Sequence, residues 1–338
     1  MLLNKYFKIM KKLLYLFLAL GLSSVSFGQN TLIPDPNFEQ ALIDLGYDSP
    51  PINGSVPTAN INNLTSLNVN SKNISDLTGI EDFLALEILD CSQNQLTSLD
   101  ITTNNFLTRL FCRSNQLTSL DVSNNPLLED LYCASNQLTS VDVSNNPMLQ
   151  GFVCNSNQLT SVDVSNNPML QGFNCNSNQL TSLDVSNNPA LQYLWCYTNQ
   201  LTSLDIRNGA NISMKGFFAF DNPNLTCIYV DNAEYSTQNW TEIDPNSTFV
   251  ENEAECALDV ADNSLDVDLI LYPSPTDNYL FIQGTTSHLS TTVYNMLGKQ
   301  VLYVQNTDKI DVSGLSDGVY IIKISDGVNE TQRKFIKN

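Results

Sequence analysis

Six cysteines stand at positions 91, 112, 133, 154, 175 and 196, always 21 residues apart, and the segments around them are near copies of one another. LEDLYCASNQLTSVDVSNNPM fills residues 128–148 and LQGFVCNSNQLTSVDVSNNPM fills 149–169; six such units run from Leu86 to Asn211. A unit this short has too little apolar edge to fold alone. The fixed period therefore specifies a solenoid in which each unit stacks on the next. Within one unit Leu128, Leu131 and Cys133 alternate as a short strand with inward apolar side chains, and Leu138, Val141 and Val143 supply the opposite wall. The spacing of two predicts strand-like backbone in both halves.

The pattern LxxLxCxxNxLxxLDVSxN resembles bacterial leucine-rich repeats, and its length and paired half-repeats are similar to the class called IRREKO repeats. Upstream, LTSLNVNSKNISDLTGIEDFLA at 64–85 resembles the 22-residue internalin-type repeat, with Lys72 where that family has asparagine. The resemblance implies that Asn94, Asn115, Asn136, Asn157, Asn178 and Asn199 turn inward after each strand. An amide carries donor and acceptor together, so stacked asparagines suit the backbone groups that a tight bend leaves unpaired. Lys72 interrupts the first rung.

The flanks read as caps. IPDPNFEQALIDLGYDS at 33–49 predicts a short amphipathic helix starting near Asp35-Pro36 and ending at Gly46, suited to covering the first open coil. Residues 222–256 resemble the carboxy-terminal closure of bacterial repeat proteins, so both ends of the sheet are expected to be protected. The chain is thus mainly β, a leucine-rich-repeat solenoid with an N-terminal helical cap (29–63), repeats (64–211) and a C-terminal cap (212–256). ALDVADNSLDVD at 257–268 reads as a linker to the last seventy residues.

Those residues carry alternating strands, YLFIQG (279–284), TTVYNM (291–296), KQVLYV (299–304) and GVYIIKIS (318–325), between turn residues, which predicts a small antiparallel β-sandwich. Tyr272-Pro273-Ser274-Pro275, MLGKQV with Gly298, IDVSGLSDGVYIIKI with Gly318 and Tyr320, and terminal KFIKN with Lys334 resemble, in order, the type A carboxy-terminal sorting domain of the Bacteroidota type IX secretion system. Ser274 replaces the usual asparagine. The resemblance covers residues 269–338 and implies passage across the outer membrane by the type IX translocon. It also implies removal of the domain by the sortase and attachment of the product to surface lipopolysaccharide.

Residues 1–28 match that itinerary, with four lysines, the apolar run Leu13–Leu22 and Ser26-Phe27-Gly28, the pattern of a secretory signal peptide. Ten apolar residues fall short of the about 20 needed to span a bilayer. Translation from Met10 would give a more compact signal than from Met1, and the mature chain is expected to start at Gln29. Without residues 1–28, 11 basic residues face 35 acidic ones, a net charge of −24. Such a surface repels phosphate backbones, so no nucleic-acid partner is expected.

With His288 as its single histidine the chain cannot form a two-histidine zinc site, and paired carboxylates suited to glycoside hydrolysis are not singled out. No enzyme activity and no cofactor are expected. The six in-register cysteines lie one strand apart with parallel Cβ vectors, a geometry of buried thiols and not of disulfides or a metal column. Cys227 and Cys256 fall outside the register, and a disulfide is expected there. Asp100, Asp121, Asp142, Asp163, Asp184 and Asp205 form an outer row where solvation is favoured over calcium bridging.

Strand side chains alternate between faces, so the residues flanking the inward Leu and Cys point out from the concave sheet. Variation concentrates there while NQLTS and SNN barely change. Arg109, Phe111, Arg113 and Tyr132 gather toward one end, Tyr193, Trp195 and Tyr197 toward the other, and Gly151 and Gly172 predict a shallower centre. Exposed aromatics of this kind anchor sugar rings or protein hot spots. The expected function is recognition of a protein or glycan ligand at the cell surface; the alternative is a passive spacer of the envelope.

Overall fold

The computed structural model describes residues 29–260, 270–283, 290–305, 307–325 and 330–338. The expected signal peptide, residues 261–268 of the expected linker, and His288 lie outside the described residues. The chain forms two compact units, Met1–Gln179 and Leu180–Asn338. Among the described residues no helix is long and apolar enough to cross a membrane.

In the first unit six three-residue strands, Ser66–Asn68, Ile88–Asp90, Arg109–Phe111, Asp130–Tyr132, Gly151–Val153 and Gly172–Asn174, pair in parallel with their neighbours. Each residue sits opposite its counterpart one repeat away. The register follows from burial, because Leu67, Leu89, Leu110, Leu131, Phe152 and Phe173 are all inside and a slip of one residue would turn them to solvent. Phe152 and Phe173 stack with ring centroids 5.4 Å apart.

The second half of each unit differs from the expectation. Leu138, Val141 and Val143 are buried as predicted, yet no strand forms there in the first unit. Alternating burial requires only an extended backbone, whereas a ladder requires neighbouring chains about 4.8 Å apart, and here the two separate. Coil-to-coil bonding in this half runs instead through Gln116 N–H to Leu96 O, 2.8 Å, and its equivalents.

Asparagines complete the bonding. Asn115 Nδ2 donates to Cys91 O at 3.0 Å and Cys112 O at 3.1 Å, while its Oδ1 accepts from Leu96 N–H at 3.0 Å. Asn94, Asn136, Asn157 and Asn178 repeat the arrangement. Lys72 leaves no gap, because Lys72 N–H and Ile74 N–H both donate to Asn94 Oδ1 and the lysine side chain pairs with Asp44 at 3.1 Å. A second column runs through the SNN segments, where Asn125 Nδ2 donates to Ile101 O and Asn104 O, and Asn146 Nδ2 to Val122 O and Asn125 O. These asparagines are fully buried and serve the core, not the outer surface.

The N-terminal cap helix spans Pro36–Asp44, with proline in its first turn and Asp35 as N-cap. Asp35 Oδ1 accepts from Asn37 and Phe38 N–H, and Oδ2 from Ser75 N–H, Ser75 Oγ and Asp76 N–H, so one carboxylate ties the cap to the first repeat. Buried Glu39 likewise accepts from Asn53 and Gly54 N–H.

In the second unit Tyr193–Trp195 pairs in parallel with Gly216–Phe218. Here the other wall does become a sheet, of Ser182–Asp184, Ser203–Asp205, Cys227–Tyr229 and Thr248–Val250. A helix at Glu253–Val260 extends four residues past the expected end of the cap. Cys227 and Cys256 form a disulfide with Cα atoms 5.7 Å apart.

The sandwich has a three-stranded sheet, Ile270–Tyr272, Tyr279–Gln283 and Lys309–Asp311, and a four-stranded sheet ordered Gln300–Gln305, Ser290–Asn295, Gly318–Ser325, Glu330–Lys337. Both are antiparallel, around Leu280, Ile282, Val293, Ile310, Tyr320, Ile322 and Phe335.

The Asp35 cap gives a pH test. Burial would raise its carboxyl, but the bonds from Ser75, Phe38 and Asn37 outweigh it and hold the group below the usual carboxylate range. Its contribution is therefore full above the unfolded value, about 4, and is lost as pH falls through the folded value. Asp35→Ala should cost about 1–3 kcal/mol at pH 7 in urea unfolding, a capping loss plus newly unpaired donors. The cost should shrink below pH 4; a penalty equal at pH 7 and pH 3 would contradict the role.

Candidate functional site

In the first unit Arg109 and Phe111 flank inward Leu110 and stand on the outer side of the sheet. Arg109 Nε lies 3.5 Å from Asp130 Oδ2 on the next strand. Burial and then the charge of Glu129 push the Asp130 carboxyl up, against the pull of Arg109. Phe111 meets Tyr132 edge to face, centroids 5.1 Å apart, and burial with the Asp130 charge raises the Tyr132 phenol. Arg113 lies exposed beyond the strand.

The shallow centre expected at Gly151 and Gly172 is only half present. A Cβ on Gly151 would sit 2.4 Å from Asp130 Oδ1 and 3.3 Å from Tyr132 Cε1, so that glycine's space is occupied by the leaning Asp130 and Tyr132 side chains. Gly172 has open space above it. Asp130 thus joins Arg109, Phe111 and Tyr132 in one cluster; its alternation with Arg109 across the strand pair was the available signal.

In the second unit Tyr193 and Trp195 remain 42% and 39% exposed, large fractions for such rings. Trp195 meets Phe218 edge to face at 6.2 Å, and Tyr197 stacks on Phe220 at 4.7 Å with an 11° interplanar angle. Gly216 makes room beneath them, since a Cβ there would be 3.1 Å from Tyr193 Cδ1. Phe218, Phe220 and Gly216 fall past the last unit counted in the sequence, because this coil has Ala219 where the others have cysteine and is longer by two residues. Asn222 betrays the coil: its Nδ2 donates to Cys196 O and Ala219 O, and its Oδ1 accepts from Leu201 N–H, the bonding of every other rung.

The row of aspartates closes turns. Asp100 Oδ1 accepts from Thr102 Oγ1 at 2.7 Å and Thr102 N–H at 3.0 Å, and Asp121, Asp142, Asp163 and Asp184 accept from the N–H two residues on. The hydroxyl and the N–H at that position hold Asp100, Asp121, Asp142 and Asp163 below the usual carboxylate range. Asp205 is engaged by Arg207. Among the described residues no group of three or more His, Cys, Asp or Glu is placed to hold a metal ion.

All six repeat cysteines are buried thiols that take no part in a disulfide. Burial pushes the Cys91, Cys133 and Cys196 thiols up to about 12, and Cys112 and Cys154 are raised by burial and by their neighbours in the column. A thiol held protonated is neither a nucleophile nor a metal ligand.

The residues of the expected sorting motifs lie together in the sandwich. Tyr272 ends its first strand and stacks on Phe281, and Pro273 and Pro275 each follow a cis peptide bond. Gly298 has φ +73° in the turn between two strands, and Gly318 opens the strand that buries Tyr320. Tyr320 stacks on Phe335 and donates from Oη to Ser316 O at 2.8 Å. Lys334 is exposed on the final strand, which the sequence patterning had not marked as one.

Residues 270–338 match the family model of the secretion system C-terminal sorting domain. The fold is similar to internalin C2 of Listeria monocytogenes, 20% identical over 67% of this chain and 100% of that one, with a TM-score of 0.51. Weaker matches include a leucine-rich-repeat protein of Leptospira interrogans (23% identity, 57% of this chain and 51% of that one, TM-score 0.43). A functional domain of InlJ from L. monocytogenes, described as including a cysteine ladder, also matches (19%, 93% and 100%, TM-score 0.27). No curated protein matches the chain. The chain thus combines a solenoid of the leucine-rich-repeat fold with a C-terminal domain, residues 270–338, of the secretion-system sorting type.

The thiol column has a direct chemical consequence. At pH 8 an aromatic disulfide reagent should titrate less than one thiol per folded chain and six after denaturation without reductant. Prompt reaction of two or more in the folded protein would show that the column is open to solvent.

Proposed function

We propose that this protein is displayed on the cell surface and recognises a protein or glycan ligand through the outward side of its repeat sheet, in an adhesion role. The observation that carries the reading is the concentration of Tyr193, Trp195 and Tyr197 with Phe218 and Phe220 on one side of adjacent strands, while buried positions hardly vary. Rings that pack only to stabilise a sheet do not need to expose two-fifths of their surface to water. Partly exposed aromatics on a firm backbone anchor binding at little entropic cost. Arg109, Phe111, Arg113 and Tyr132, with Asp130, form a second contact cluster of mixed charge.

Export proceeds in two steps. A signal peptide over residues 1–28 crosses the inner membrane, and the sorting domain then engages the type IX translocon. The sortase removes the domain and joins the product to lipopolysaccharide. The −24 charge of the chain without residues 1–28 keeps the product away from nucleic acid.

A second reading has its own support. Trp195–Phe218 and Tyr197–Phe220 are favourable cross-strand pairs, as expected in a passive spacer of the envelope that binds nothing. Screening the mature chain against glycans and surface proteins separates the two. A Tyr193/Trp195/Tyr197 triple-alanine variant should lose about 2 kcal/mol or more of affinity for any ligand found, about 30-fold, with its melting curve still cooperative. Unchanged affinity would remove this face from recognition, and no ligand in either screen would favour the spacer.

A further inference from the structure

The outward side of the first unit's sheet contains a step. The strands Gly151–Val153 and Gly172–Asn174 lie next to each other with glycine opposite glycine. Asp130 and Tyr132, one strand earlier, lean across Gly151: the point where its Cβ would stand is 2.4 Å from Asp130 Oδ1 and 3.5 Å from Tyr132 Oη. Phe111 braces Tyr132 from the far side, edge to face. The corresponding point on Gly172 has nothing within 4 Å. A carboxylate oxygen and a phenol ring therefore form the wall of the step, and open glycine forms its foot. Half-buried Val153 and Asn174 bound it along the strands in one direction, and Gln150 and Gln171, joined by an amide hydrogen bond of 3.2 Å, in the other.

Asp130 is short of a partner. Arg109 Nε approaches its Oδ2 at 3.5 Å from a side chain that is itself half exposed, and among the described residues no hydrogen bond reaches Oδ1, the oxygen above Gly151. Burial and the Glu129 charge raise this carboxyl in spite of Arg109, so a further cation would stabilise its charged form. The surroundings supply none. Residues 114–179 carry five carboxylates and no basic side chain, and residues 29–179 carry 15 acidic against three basic ones, which draws cationic groups in from solution.

The single free oxygen selects among cations. A guanidinium pairs best with both oxygens of a carboxylate, whereas an ammonium is a point charge that one oxygen satisfies. The Tyr132 ring attracts the same charge, and Val153 offers apolar surface to the methylene stem behind it.

We propose that the step above Gly172 binds a lysine side chain of a protein ligand, with its ammonium against Asp130 Oδ1 and Tyr132 and its stem across Val153. This rests on the reading of the outward side of the repeat sheet as a recognition face, and it narrows the ligand to a protein that presents a lysine.

The test titrates the full chain into fluorescent peptides of five lysines, five acetyl-lysines or five arginines and reads anisotropy at about 150 mM salt, where diffuse attraction is screened. The lysine peptide should bind, the acetylated one should not, and the arginine one should bind about threefold or more weakly. Asp130→Asn should weaken lysine-peptide binding about threefold or more, while Asp142→Asn, the same change of charge on the outer row of aspartates, should weaken it less than about twofold. Gly172→Leu fills the step at constant charge, on strand backbone without a left-handed φ, and should weaken binding about fivefold or more. Gln171→Lys, an exposed substitution that sets a competing ammonium beside the step, should weaken it more than Asp142→Asn does, which keeps the test decisive if Gly172→Leu unfolds. Equal effects of Asp130→Asn and Asp142→Asn, or wild-type binding by folded Gly172→Leu, overturn the site, and an arginine peptide that binds as tightly overturns the choice of lysine. None of these variants touches Tyr193, Trp195 or Tyr197. Failure here with affinity still lost in the triple-alanine variant removes only the lysine site, and failure of both removes the recognition face.

Discussion

From Asn94 to Asn222, each described coil of the solenoid bends back on itself around one amide. The bend exposes two carbonyls, such as Cys91 O and Cys112 O, on the inner side of the chain where no water reaches, and the next coil brings Leu96 N–H to the same place. Buried backbone groups without partners cost about 1–3 kcal/mol each, so the repeat is possible only where a side chain with two donors and an acceptor stands at that point. Asparagine alone matches that reach. The second asparagine column supplies only the donor half of this service at the opposite corner, where Asn125 Nδ2 donates to two carbonyls and its Oδ1 accepts no bond, and the cysteines are buried as small apolar groups.

Fixing the bends from within leaves the outward strand positions without a structural duty. Arg109, Asp130, Gly151 and Gly172 occupy equivalent positions in successive strands, residue types that differ in size and charge, without any change of register. Tolerance of this kind allows one face to diversify toward ligands while the coil stays constant. It is also why the aromatic cluster can sit on glycine: Gly216 lowers the sheet beneath Tyr193, and the coil's asparagine, Asn222, keeps the strand in place although its cysteine has become alanine.

Much of this was legible in the sequence because repetition turns a weak pattern into a strong one. Six copies made the period, the inward Leu and Cys, and the first asparagine column plain, and Asp35-Pro36 marked the start of the cap helix, which ends at Asp44, two residues before the expected Gly46. What escaped has identifiable causes. Asn125 and its equivalents follow exposed residues in SNN and look like surface, and only the backbone path turns them inward. The coil with Phe218 and Phe220 lost its cysteine and gained two residues, which hid it from the period. Second-half strands form at Ser182–Asp184 and Ser203–Asp205 but not around Val141 and Val143, which satisfy alternating burial without a ladder. Three short or terminal strands of the sandwich, among them Glu330–Lys337, lack the strict alternation that marks the others.

The fold depends on the buried amide at each bend, and urea unfolding of two variants in one repeat region tests that directly. Asn136→Asp preserves shape but replaces the donor to Cys112 O and Cys133 O with a buried charge, whereas Arg113→Ala alters an exposed side chain on the outward face. Asn136→Asp should cost about 3 kcal/mol or more at pH 7 and Arg113→Ala less than about 0.5 kcal/mol. Comparable small losses in both variants would contradict it.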